Sequence, residues 1–426
     1  EDGVASAVSA TNLIALPNKT TLAIDLSSVS KITDTSAKLV ELYADALTNY
    51  TGLGNETLAV TGNAVATDIK TLSVPVDYSG STGTGTDGVG AIDLSGATDL
   101  TGSVADLTIV IDDTGVTGWT SNPVLKTSDA TVSADSLDAL MGKVTAAYGD
   151  DANAIDATSV SKLTGAAAKV KAVLTDAGGV VSNLTNPTVE INDSTVDAQL
   201  LNDIAGLTSG AINVDSLTSV TGTASAVETA LENVGQLSTL AGTPVTLDAN
   251  NELATALNTL DTDSTAAVNA SNLTGVTGLI DDVLTAYDAN GSTITGLGDK
   301  AVTVTDDANI LASKVKELDV DTSGKITAAD VQTVTGSASD VSDVYDAEVT
   351  GDTLDGFGDE AVVLTGTSAT AEDLLNIFNK NTGDIDADSL TTISGEAQDV
   401  IDIFNDEDNS IADDATGQFE NLDNAA

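Results

Sequence analysis

The sequence predicts an α/β fold: a repetitive right-handed βα solenoid with a parallel sheet, built from about seven double (strand-helix-strand-helix) units. Three observations carry this. One phrase returns seven times, as IDLSSVSKITD from Ile24, IDLSGATDLTG from Ile92, IDATSVSKLTG from Ile155, INVDSLTSVTG from Ile212, VNASNLTGVTG from Val268, ITAADVQTVTG from Ile326 and IDADSLTTISG from Ile385. The copies start 56 to 68 residues apart, and a fixed period of this kind marks supersecondary units that bury their apolar faces against their neighbours. Within a period, strand-like alternation gives way twice to helical spacing. Short crossovers in one direction then imply parallel strands and right-handed winding. The 41 % apolar content is mainly aliphatic, with aromatics at 3 %, a composition suited to stacked strands and thin coils.

The clearest unit runs from about Ala301 to Gly358. It opens with AVTVTDD, where Val302 and Val304 alternate with Thr as in a strand. NILASKVKEL follows, with Ile310, Leu311, Val315 and Leu318 at helical spacing, and a turn-like DVDTSG leads into the repeated phrase. There Ile326, Ala328, Val331 and Val334 are the expected core positions, although their spacing fits either a continued coil or a short helical turn. Ser337 or Ser339 is placed to cap a second helix carrying Val341, Val344 and Tyr345. Two strand-plus-helix halves of about 28 to 30 residues therefore make one period. Pro precedes or opens three of the first-half strands, at Pro123, Pro187 and Pro244, a place where a strand tolerates it.

Organisation divides into irregular N-terminal repeats over residues 1–120 and regular repeats of about 57–59 residues over 121–426, read as one continuous solenoid. The first stretch holds a Gly-rich loop insertion, Ser79 to Gly90, and ends near the only Trp, Trp119.

Charge narrows the function classes. Against 66 acidic residues stand 14 lysines and no arginine, a net charge of −52. Such a chain repels nucleic acid and anionic lipid, so no nucleic-acid partner is expected, while divalent cations are favoured as counter-ions. The absence of Cys and His excludes disulfides, thiolate metal sites and Ser-His-Asp or Cys-His catalysis. No stretch approaches 18 uninterrupted apolar residues, so no membrane span is expected. Glu1 is not followed by a basic-then-apolar leader, and the expectation is a mature chain or a piece of a longer one.

The sharpest motif is DVDTSGKITAAD, Asp319 to Asp330, which fits the calcium loop of an EF-hand. Asp319, Asp321 and Ser323 take positions 1, 3 and 5, Gly324 the turn, Lys325 the backbone-carbonyl position, Ile326 the apolar one, Thr327 the ninth and Asp330 the twelfth. Asp at the last place resembles dockerin-type loops. The competing reading is a solvated turn, because the neighbouring copies DTDSTAAVNASN and NKNTGDIDADS lose the pattern. A second arrangement places calcium between coils, on Asp25, Asp93, Asp156 and Asp386. Asn213, Asn269 and Thr327 occupy that position elsewhere, and turn hydrogen bonding explains all three residue types without a metal. Beyond calcium, no cofactor is expected.

IDLSGATDLTG resembles the strand-and-turn phrase of leucine-rich repeats through Ile92, Leu94 and Leu100, but the last apolar residue comes one place late and the turn Asn is absent. The whole unit has the pattern V-T-[VL]-[TS]-D, a helix ending near L-D, a T-x-G turn, [IV]-[DN]-A-x-x-[VL], [TS]-G and A-x-D-V. It is similar to the tandem-repeat modules of giant acidic, cysteine-free cell-surface proteins of marine cyanobacteria. This resemblance covers the chain from about Leu16 onward, and implies an extracellular or cell-surface location, a structural or adhesive role and no catalytic residues. The expected function is an extracellular structural repeat protein forming a filament, surface layer or matrix element, self-associating through solenoid ends or flanks. An adhesin or phage-fibre-like module with a carbohydrate or cell-surface partner is the alternative, with specificity in the irregular N-terminal third. A polysaccharide-active enzyme working through paired carboxylates is the third reading, and the absence of Arg counts against it.

Overall fold

The computed structural model describes residues 7–44, 49–74, 90–148, 154–176, 179–351, 353–410 and 419–420. All of the Gly-rich insertion except Gly90 lies outside these residues. The protein is α/β, with fourteen α-helices among the described residues and every paired strand parallel to its neighbour. It forms two compact units: residues 1–194, 200–217 and 235–238 in the first, and residues 195–199, 218–234 and 239–426 in the second.

The first unit carries an eight-stranded, a four-stranded and a two-stranded sheet. Its largest sheet runs from Val8–Ser9 through Lys31–Asp34, Thr57–Val65, Ile92–Gly102, Val124–Thr127 and Ile155–Asp156 to Val181–Ser182, with Val116–Thr117 paired beside Ile92–Gly102. In the second unit three five-stranded sheets and a two-stranded one follow each other.

The second unit shows why the sequence period spans two coils. One coil contributes Ile294–Thr295, Ala301–Val304, Asn309–Leu311 and the helix Ala312–Asp321. The next contributes Ile326–Thr327, Thr333–Gly336 and the helix Ala338–Gly351, its strands lying on the last two of these in order. A third coil then brings three strands, Leu354–Asp355, Ala361–Leu364 and Ser368–Thr370, before the helix Ala371–Lys380. Its first two continue the existing sheets and its third starts a new one with Thr392–Ser394. Long and short coils alternate, and each long coil opens a fresh sheet. The repeating unit is therefore richer than strand-helix-strand-helix, because additional strands of two or three residues precede or follow the four-residue ones.

The repeated phrase is itself strand, turn and strand. Val331 N–H donates to Ala328 O (3.3 Å), and the same bond recurs at Val29, Val160, Leu217, Leu273 and Leu390, closing a β-turn where sequence spacing leaves a coil or a helical turn open. Ile326, Ala328, Val331 and Val334 are all buried, as are Ile155, Ala157, Val160 and Leu163 in an earlier copy. Each Val or Leu so buried contributes roughly 1.5–3 kcal/mol of transfer free energy. Ser337 is the helix cap: its Oγ accepts from Asp340 N–H (3.1 Å) and donates to Asp340 Oδ2 (2.8 Å). Val341, Val344 and Tyr345 then face the core.

The Gly that closes the phrase is fixed by close approach. A Cβ on Gly336 would lie 2.9 Å from the Cβ of Ala312, the first residue of the preceding helix, and Gly278 meets Ala254 in the same way.

Candidate functional site

The Asp319–Asp330 segment is divided among four local structures. Asp319 and Asp321 belong to the last turn of the helix Ala312–Asp321. Ser323 lies against the preceding coil, its N–H and Oγ both donating to Gly298 O (2.8 and 3.2 Å). Lys325 gives its carbonyl to Val302 N–H (2.8 Å) and its ammonium to Asp355 (2.8 Å), so the oxygen an EF-hand loop would present to the ion is already in the sheet ladder. Thr327 ends the strand Ile326–Thr327, Ile326 is buried, and Asp330 is exposed in the following turn. Among the described residues no group of three or more acidic side chains is gathered where it could hold a metal ion.

The T-S-G within this motif has a local role that recurs. Thr322 Oγ1 accepts from Gly324 N–H (2.9 Å) and donates to Lys300 O (3.1 Å). Thr208 does the same with Gly210 (3.0 Å) and Pro187 O (3.0 Å), and Asn381 Oδ1 accepts from Gly383 N–H (3.2 Å). A Cβ on Gly324 would stand 2.0 Å from Lys300 O. The glycine thus admits the neighbouring coil's backbone, a need independent of any ion. Asp321 is raised above its ordinary range by burial and by Asp288.

The intercoil series has a uniform geometry. Asp25, Asp93, Asp156, Asn213, Asn269 and Asp386 each accept, through Oδ1, the N–H two residues on at 2.9–3.1 Å. This is the Asx turn that Asp and Asn share. For four of them the neighbour in register is a hydroxyl of the next coil: Thr51 beside Asp25, Thr117 beside Asp93, Ser182 beside Asp156 and Thr295 beside Asn269; Asp386 has Glu420 instead. The Ser27 N–H holds Asp25 below its usual range. At Asp156 burial pushes upward, yet Thr158, Asn183 and Lys126 leave it lowered.

Other acids join coils at helix starts. The first N–H of the helices beginning at Val104, Ala167 and Ile280 donates to Asp129, Asp193 and Asp306 of the following coil, each at 2.7 Å, and Ala224 N–H donates to Glu252 (2.9 Å). An anion there satisfies an orphan donor and complements the helix dipole. The sequence signal was the acid following the first strand of a period, as in TDD from Thr305.

Thirteen of the fourteen lysines stand in ion pairs. Several of these pairs join helices of successive coils: Lys70–Asp106, Lys143–Asp112, Lys169–Asp138, Lys314–Asp281, Lys316–Asp340 and Lys380–Asp346. Exposed pairs of this kind are worth about 0–1 kcal/mol each.

Two of the buried carboxylates, Glu56 and Glu360, share one local phrase. Glu56 accepts from Tyr43 OH (2.8 Å), Gly54 N–H (2.9 Å) and Asn55 N–H (3.2 Å). Glu360 accepts from Tyr345 OH (3.2 Å) and Gly358 N–H (2.8 Å), while its Oε1 is buried without a partner. Burial, reinforced by Asp359, raises Glu360 above the usual carboxylate range. The signal is the spaced phrase G-x-G-x-E, GLGNE from Gly52 and GFGDE from Gly356. A third copy ends in Lys300, whose carbonyl accepts from Tyr287 OH (3.4 Å), and burial pushes that phenol up to about 12.

An open cleft of about 630 Å³ lies beside Leu207, Ser209 and Gln236 in the first unit. There the Gln236 amide donates to the carbonyls of Thr208 and Gly210, in a stretch without the usual short strand. No protein-family model matches the chain, and no curated protein matches it in sequence.

Proposed function

We propose that this chain is a non-enzymatic structural repeat element of an extracellular filament, surface layer or matrix. The supporting observation is where the recurring polar residues are engaged. Six copies of the Asp/Asn position close Asx turns, and acids of one coil cap helices of the coil before it. Repetition of sequence is thereby repetition of joints, the pattern of a chain whose product is a regular surface. The acidic exterior, with most lysines engaged in ion pairs, keeps such a surface soluble and favours cations over anions at it. The extracellular setting rests on the resemblance in composition and unit pattern.

Electron microscopy of the purified chain at high concentration tests the proposal. Ordered assemblies longer than one chain are expected; single particles at every concentration and salt condition overturn it. Melting with and without EDTA tests calcium separately, since a structural ion raises the transition by mass action.

A further inference from the structure

Two residues past the short strand that opens a long coil, or past the strandless Val234–Gly235 in one copy, stands a core residue in five copies. Leu53, Leu184, Leu237, Leu297 and Phe357 are all buried there. In the sixth copy the position is Trp119, and it is only half-buried. It follows Gly118, whose φ of 88° no bulkier residue adopts comfortably and where a Cβ would meet Ser95 N at 2.4 Å. The chain then makes a 3₁₀ turn, Trp119–Ser121, and leaves through Asn122 in the left-handed region. The next helix, Ala134–Tyr148, is fifteen residues long, where the helices on either side, Val104–Asp112 and Ala167–Thr175, have nine. Its extra turns carry Tyr148 to the Trp119 ring, centroids 5.9 Å apart and planes at 33°. Tyr148 OH donates to Pro123 O (3.1 Å), which anchors its ring, and the ring is again half-buried.

In a chain with a single Trp, that side chain stays part-exposed at a position that is otherwise core. At 5.9 Å the two rings touch, so nothing enters between them and a ligand sits on an outer ring face. The electrostatics choose its chemistry. An aromatic face is the negative part of the ring quadrupole. It lies on a chain of net charge −52, thirteen of whose fourteen lysines are in ion pairs. Anionic ligands are repelled, a neutral sugar gains nothing from the field, and a soft organic cation gains from both field and ring.

We infer that the Trp119–Tyr148 face is a docking surface for a quaternary ammonium group, of the kind carried by choline or a trimethylated amine. The contact is a cation–π interaction, favoured further by the net negative charge of the chain. It is independent of the filament proposal, because it needs only one folded chain.

Trp119 is its own reporter. Its fluorescence is followed on titration with choline chloride at constant ionic strength, beside 3,3-dimethyl-1-butanol, which has the same shape without the charge. Choline is expected to shift the emission in a saturable way, about fivefold more tightly than the neutral alcohol, and to weaken as salt rises. Tyr148→Ala is expected to lose about fivefold in affinity, and Tyr148→Phe, which keeps the ring, to retain most of it. Circular-dichroism melting of both variants separates loss of the face from loss of the fold. The inference is overturned if choline and the alcohol act alike, if correctly folded Tyr148→Ala binds as the parent does, or if glucose alone gives the saturable response.

Discussion

Glu56 and Glu360 occupy the same local phrase, each buried, each facing a Tyr from the preceding helix, yet the two carboxylates are differently held. Glu56 receives three donors, from Tyr43, Gly54 and Asn55. Glu360 receives two, from Tyr345 and Gly358, at the cost of a buried Oε1 without a partner. Donors to the charged form favour ionisation, whereas desolvation favours the proton. At Glu360 desolvation prevails, and its carboxyl is raised above the usual range.

The largest effect is expected at the better-satisfied site. Glu56→Gln should cost about 1–3 kcal/mol in urea unfolding at neutral pH, because an amide cannot accept all three donors at the same oxygen without burying an unpaired NH₂. Glu360→Gln should be neutral or stabilising by about 1 kcal/mol, since it removes a carboxylate that resists charge. Equal losses at both positions would erase the distinction.

The pH dependence sharpens the same contrast. Glu360 has a folded pKa above its unfolded value. Its stabilising contribution is therefore complete below the ordinary Glu range and is lost as pH rises through the raised folded value. Melting temperatures between about pH 4 and pH 8 should fall less steeply with pH for Glu360→Gln than for the parent.

Removing the phenols ranks next. Tyr43→Phe should cost about 1–2 kcal/mol and Tyr345→Phe about 0.5–1, following the 2.8 and 3.2 Å bonds they delete. The smallest change is expected at the shared turns: Asp156→Asn should shift unfolding by only a few tenths of a kcal/mol, as the Asn213 and Asn269 copies make the same turn. Asp156→Ala should lose about 1 kcal/mol.

Much of this architecture was legible in the sequence. The core positions Ile326, Ala328, Val331 and Val334, a cap at Ser337 or Ser339, and the turn role shared by Asp25, Asp156, Asn213 and Asn269 follow from periodicity and side-chain reach; the structure selects Ser337. The additional short strands did not show, because a pair such as Leu354–Asp355 is too brief to alternate. The helical end at Asp319 and Asp321 was hidden for another reason. Acids at a helix C-terminus oppose its dipole, so their presence reads as a loop. Packing of Leu318 and the Thr322 turn prevail locally. Glu56 and Glu360 were illegible since burial of a lone acid depends on a Tyr thirteen or fifteen residues away.

The alternation of long and short coils also governs how this gene can change length. Excising one coil would set two long or two short coils together, leaving a strand without its column. Excising a pair restores the order on both sides of the cut. Duplication and loss are thus expected to be inherited in steps of two coils, and a library of internal deletions should yield soluble protein only at those steps.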